Sequence, residues 1–251
     1  MRPSCPCTCP LIPVWSIPVS GPVGNALVVV LAAVFLALAV GGLRLLRRPP
    51  VSAVRTVEGV RAVEVRLMAG RVEIGEDDRA DARVDLTVRR RVGQALPRLT
   101  VADGTLRLDG ETSEARLRLR LPRATPARVE LRAGEISMWG SAGDLALVTE
   151  TATIAARELS GTEVTARAAA GDISLHFTGQ PRRLAVTGGS GTITIVLPDG
   201  RYAVEVESAD PASPARVDVD TDPDAPSAIL VRSHGGPVRV GTPAAGGTRP
   251  I

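Results

Sequence analysis

Between Val129 and Gly241 the chain alternates apolar and polar residues in six successive copies. They run VELRAGEISM, VTETATIAA, VTARAAAGDISL, LAVTGGSGTITIVL, YAVEVESADPASPARVDV and ILVRSHGGPVRV. Each copy is an alternating run, a break of small residues, and a second alternating run. A small residue opens each second run, at Gly134, Ala152, Gly171, Gly191, Ala215 and Gly236, with spacings of 18, 19, 20, 24 and 21. Two positions on stand Ile136, Ile154, Ile173, Ile193, Val217 and Val238. Two further on stand Met138, Ala156, Leu175, Ile195, Val219 and Val240. A period of two predicts strands with one buried face. A repeat of about twenty residues predicts one structural unit per copy, each burying its apolar face against its neighbours. The fold expected is all-β, a parallel β-solenoid-like repeat domain. Antiparallel hairpins turning at AAGD or GSGT are the alternative.

The same alternation begins earlier and less regularly, in VRAVEVRLMAGRVEIG, ARVDLTVRRRV, LTVADGTLRLDG and ARLRLRLPR. These segments predict an opening, irregular part of the same sheet system, with the repeat domain spanning 56–241. The small residues of the break suit tight corners, where positive φ or close backbone approach excludes a Cβ. Residues 242–251, TPAAGGTRPI, carry no pattern and are expected to be a disordered tail.

Ahead of the strands, residues 26–43 read ALVVVLAAVFLALAVGGL without a charge. Eighteen residues rise about 27 Å as a helix, close to a bilayer core of about 30 Å. A transmembrane helix is therefore expected over 23–48, after a Pro- and Cys-rich disordered leader at 1–22 and before a linker at 49–55 that Pro49 and Pro50 open. A cleaved signal peptide, with small residues at Ala37 and Ala39, is the rival. Arg44, Arg47, Arg48 and Arg55 follow the span while Arg2 alone precedes it, which by the positive-inside rule favours a cytoplasmic repeat domain. The three cysteines, Cys5, Cys7 and Cys9, lack a fourth ligand for a metal. A disordered leader or a mis-assigned start codon is expected instead.

Charge changes the picture little. All 30 basic residues are arginines, against 27 acids. Residues 1–50 hold four arginines and no acid; residues 51–251 hold the other 26 arginines and all 27 acids, a net of −1. A near-neutral repeat domain argues against nucleic-acid binding. Five aromatic residues, Trp15, Phe35, Trp139, Phe177 and Tyr202, suit a narrow solenoid whose interior is laddered with aliphatic side chains.

The succession AGEISMWG, AAGDISLHFTGQP, GGSGTITIVLPDGRYAVEVES and HGGPVRV resembles the bacterial putative-adhesin family of β-strand repeats, a domain of unknown function with many actinobacterial members. The resemblance covers about residues 56–241. It implies a β-solenoid-like domain facing the cell envelope, with no accepted activity and no functional residues to carry over. Thr149 to Ala152 replaces the glycine-rich corner of that pattern, and an insertion lengthens the fifth copy.

Catalytic signatures are sparse. His176 and His234 are the two histidines; strand parity turns His176 outward and Phe177 inward. HExxH, Walker A and GxSxG patterns are missing. Asp144, Asp172 and Asp199 fall at corners rather than in one row, unlike the carboxylates of a polysaccharide-active β-helix. Asp218, Asp220, Asp222 and Asp224 invite a calcium reading, but Pro223 and Ile229 occupy the positions where a calcium loop needs Gly and Glu. No cofactor is expected. Arg116, Arg118 and Arg120 alternate with leucines and form a basic stripe, either a contact for anionic head groups or polymer, or a charged edge that resists strand pairing.

These observations predict a non-enzymatic, single-span membrane protein whose β-repeat domain offers an interaction surface to proteins or anionic material at the cell envelope. The resemblance places that domain outside the cytoplasm. A regulatory component linked to envelope stress is the alternative; a polysaccharide-active enzyme is a third reading. The oligomeric state is left open.

Overall fold

The computed structural model describes residues 50–89, 95–111, 114–209 and 215–243. The leader, the expected span over 23–48 and most of the tail lie outside these residues. Among the described residues no helix is long and apolar enough to cross a membrane, and regular structure is entirely β, in seventeen strands.

Period-two alternation puts every second side chain inward, and parallel register then stacks like on like. Leu117, Val72, Ile136, Ile154, Ile173, Ile193 and Val238 form one such ladder, each almost wholly buried. A facing ladder runs Leu108, Val65, Val129, Leu147, Ala166, Val186 and Val231, equally buried. Two sheets therefore face each other with aliphatic layers between them. At about 25 cal/mol per Å² of apolar surface removed from water, these ladders are the main source of stability.

Each rung contributes a strand to both sheets. In β2 (Ala62–Asp77), β7 (Ala127–Trp139) and β8 (Leu145–Leu159) one long strand bends across the corner. Later rungs break there, giving β9 (Glu163–Ala168) with β10 (Ile173–Phe177), β11 (Arg183–Gly188) with β12 (Ile193–Val196), β13 (Arg201–Ser208) with β14 (Arg216–Asp218), and β16 (Ala228–Ser233) with β17 (Val238–Gly241). The short β15 (Asp220–Thr221) pairs with the start of β13.

Stacking does not follow chain order at either end. Strand β16 lies between β11 and β13, and β17 between β12 and β14. The sixth copy is thus inserted between the fourth and the fifth, and the fifth forms the outermost rung. At the other end β2 is an inner rung. Outboard of it lie β5 (Thr105–Gly110) and β6 (Ala115–Pro122), both parallel to it. Next come β4 (Arg98–Ala102) and β3 (Ala82–Val88), then β1 (Val51–Val57), all joined antiparallel. The structure is parallel through the repeats and antiparallel at this end.

Two expectations are corrected. Residues 49–55 are not wholly a linker, because β1 begins at Val51; its Val-Ser-Ala-Val opening pairs in full register with β3. Ala215 is not a repeat corner. Val217 pairs with Val240, which sets residue 215 level with Val238, two residues past the corner at Gly236. The fifth copy's insertion hid that shift.

Candidate interaction surface

The column of corners explains the small residues. Gly70, Gly134, Ala152 and Gly171 follow one another from rung to rung, and Gly191 and Gly236 continue the line. At Gly134, φ is +125° and a Cβ would run into the Gly70 carbonyl. At Gly236 the obstacle is the Gly191 carbonyl. The backbone of one rung presses on the α-carbon of the next, so these glycines are spacers and not ligand contacts. Where the corner is Ala152, the buried Thr149 hydroxyl donates to the Ala152 carbonyl at 3.1 Å. In the last copy Ser233 Oγ donates to the Gly236 carbonyl at 2.7 Å. Each hydroxyl gives the carbonyl at its corner a donor.

Corner carboxylates brace neighbouring rungs in the same manner. Asp144 Oδ1 accepts from Thr162 Oγ1 and the Glu163 amide at 3.0 and 3.1 Å. Asp172 Oδ1 accepts from the Thr192 amide at 2.8 Å. Glu76 Oε1 accepts from Ser141 Oγ and the amides of Ala142 and Gly143. These acids are spread along the stack and each accepts from backbone amides, joined at Asp144 and Glu76 by a hydroxyl, an arrangement that suits scaffolding.

The arginine stripe lies on the outer face of β6, flanked by β2 and β3. Arg118 sits level with Glu73 and Asp85 and meets the Glu73 carboxylate at 2.8 Å. Arg120 lies over the Trp139 ring, 4.6 Å from its centroid. Arg116 is exposed, level with Arg71 and Thr87. The stripe is therefore interleaved with acids and one aromatic ring. Trp139 in turn lies across Gly75, where any Cβ would strike the indole. This Arg120–Trp139–Gly75 stack escaped the sequence reading, because a lone glycine inside a strand does not say what crosses it.

Across the opposite sheet Arg107–Glu64, Arg66–Glu130 and Arg132–Glu150 pair from rung to rung at 3.2, 3.4 and 2.9 Å. A groove of about 390 Å³ along this corner is lined by Leu67, Met68, Leu131, Thr149 and the charged side chains beside them. Such exposed pairs contribute little stability each, typically below about 1 kcal/mol. They leave two broad, charge-mixed faces.

The remaining candidates do not converge. His176 is exposed on β10, its pKa lowered first by partial burial and then by Arg157. His234 is elsewhere, its Nδ1 3.1 Å from the Gly188 carbonyl. Within 218–224, Asp218 pairs with Arg216 at 2.6 Å, Asp222 with Arg201 at 3.3 Å, and the Asp224 amide donates to Asp222. No group of three or more histidines, cysteines or acids among the described residues is placed to hold a metal. Tyr202 is buried and donates to the Pro198 carbonyl at 2.7 Å. Burial first, and then Asp199, raise its pKa.

This geometry defines an all-β repeat domain with two charged outer faces. Residues 123–222 match the family described as Toastrack DUF4097. Among solved structures, the chain is similar to a putative cell adhesion protein from Clostridium sporogenes, at 15% identity and a TM-score of 0.44, over 78% of this chain and 100% of that one. A putative adhesin from Bacteroides fragilis is similar at 12% identity and a TM-score of 0.49, over 78% and 98%. A putative lipid binding protein from Parabacteroides distasonis is similar at 12% identity and a TM-score of 0.34, over 76% and 96%. Comparison with curated proteins finds no match.

Proposed function

We propose that this chain is a non-enzymatic, membrane-anchored β-repeat protein whose stacked sheets offer an adhesin-like interaction surface at the cell envelope. One observation carries the reading: the sheets hold their apolar ladders inside and set rows of paired arginines and acids outside, over broad faces. Asp144 and Asp172 accept from backbone amides and a threonine hydroxyl of the next rung, so these corner acids serve the stack. The uncharged run at 26–43 supplies an anchor of bilayer length. The partner would be a protein or an anionic envelope component, and the repeat domain would face outward.

Topology reporters test this. A C-terminal fusion active only outside the membrane is expected to be active, and one that fluoresces only inside is expected to stay dark. The opposite pair of results would sink the adhesin-like reading, because the surface would then face cytoplasmic proteins.

A further inference from the structure

The two sheets end unequally on the N-terminal side. One stops at β4; the other continues past β3 to β1. The overhang opens an apolar slot of about 210 Å³ lined by Val51, Ala53, Val84, Leu86, Leu96 and Leu99. Among the described residues, large apolar side chains stand exposed at Val51, Val54, Met68, Leu96 and Val101. Four of these five belong to β1, β4 or the residues leading into β4, so the exposed apolar surface is gathered at one end. Such gathering marks a contact surface, whereas scattered exposed side chains would not.

We propose that this end of the solenoid rests on an anionic lipid bilayer, with Val51, Val54 and Leu96 at the level of the head groups. The proposal builds on the anchor reading above. The last apolar residue after 26–43 is Leu46, and Val51 is five residues on. Five residues reach about 17 Å fully extended, and the head-group layer itself takes about 5–8 Å of that. An anchored chain therefore has little room to hold β1 away from the surface.

Charge favours the same occupant. Arg44, Arg47, Arg48 and Arg55 all precede Glu58, the first acid of the chain. Val51 pairs with Val88, which brings the exposed Arg89 beside the point where the chain enters. Arg98 opens β4, the edge strand of the facing sheet. Against these six arginines stand Asp85, level with Val54, Asp109, level with Arg98, Glu111 just after it, and Glu114, whose carbonyl accepts from the Arg89 amide. The positive excess comes from Arg44, Arg47 and Arg48 in the sequence that leads into β1, and a basic approach to an exposed apolar patch is the combination that anionic lipid surfaces attract.

The test uses the full chain with Cys5, Cys7 and Cys9 changed to serine and one spin label at a time, at Ala37→Cys, Leu96→Cys or Glu205→Cys. Collision with aqueous nickel chelate is read in vesicles of phosphatidylcholine with and without phosphatidylglycerol. The label at 96 is expected to collide about fivefold less than the label at 205 on the outermost strand β13, and to lose much of that shielding without phosphatidylglycerol. A buried label at 37 with equal collision at 96 and 205 would overturn docking and leave the anchor standing. Exposed labels at both 37 and 96 would overturn both readings. An exposed label at 37 with a shielded one at 96 would keep docking and remove the anchor. Shielding at 96 that persists in micelles and fades on dilution would identify a second copy as the occupant, and so overturn the lipid proposal.

Discussion

Replacing Ile229 with alanine tests the inserted rung. Ile229 is buried in β16, level with Leu184 of β11 on one side and Val204 of β13 on the other. The change removes three carbons, about 2.4 kcal/mol at 0.8 kcal/mol per buried methylene. A residual cavity raises the cost to about 3 kcal/mol, within the usual range for Ile→Ala. That is a large share of the 5–15 kcal/mol typical of a folded domain. In a stack with nearest-neighbour coupling the loss should be local in space rather than in sequence. Urea unfolding with hydrogen exchange, on the full chain in detergent, reads both the magnitude and the place. Protection should fall in 228–241 and also in 203–208, which precedes the substitution by more than twenty residues, because among the described residues that part of β13 pairs with β16 alone, β15 holding just Arg201 and Tyr202. Strands β7 and β8 should keep their protection. If 203–208 exchanged as in the parent chain while 228–241 opened, the interleaved order of rungs would be wrong.

Other perturbations probe other parts. Gly134→Ala adds a Cβ at φ +125° against the Gly70 carbonyl, and should cost at least about 1–3 kcal/mol in chemical unfolding. Gly75→Ala pushes a methyl into the Trp139 indole; emission from Trp139 should shift to the red as the ring leaves Arg120, with Trp15→Phe as the background. Because the folded pKa of Tyr202 is raised, its stabilisation is full below the unfolded value near 10 and lost as pH rises through the folded value. Tyr202→Phe should flatten that alkaline decline in the melting temperature. His176 shifts the other way. Its contribution is full above the unfolded value near 6.5 and lost as pH falls through the folded value, so His176→Gln should reduce the slope of stability between about pH 5 and 7.

Much of the interior was legible in the sequence, because a period of two determines which side chains point inward. Ile136, Ile154, Ile173 and Ile193 read as one ladder and stack as one. Neighbour order was not legible. An alternating strand fits beside any other alternating strand, so nothing in ILVRSHGGPVRV says that it sits between the fourth and fifth copies rather than beyond the fifth. The shift of Ala215 has the same origin: Val217 and Val219 are equally plausible inward residues, and pairing with Val240 selects the register. Strand β1 was missed because its exposed edge position asks little of its sequence, and Pro49 and Pro50 made it read as a tether. At the surface, the stripe of Arg116, Arg118 and Arg120 was visible as a period-two pattern. Its acids were not, since Glu73 and Asp85 come from strands distant in sequence.

The interleaving of rungs bears on biosynthesis. A ribosome delivers the chain from one end, yet the layer that seats β13 and β14 is supplied by 228–241, made after both of them. The fifth copy must wait outside the stack, its valines uncovered, until 228–241 has been made. A chain cut short anywhere before Ala228 would present that unfinished rim to chaperones and proteases. Order of synthesis and order of stacking thus run against each other in this part of the chain.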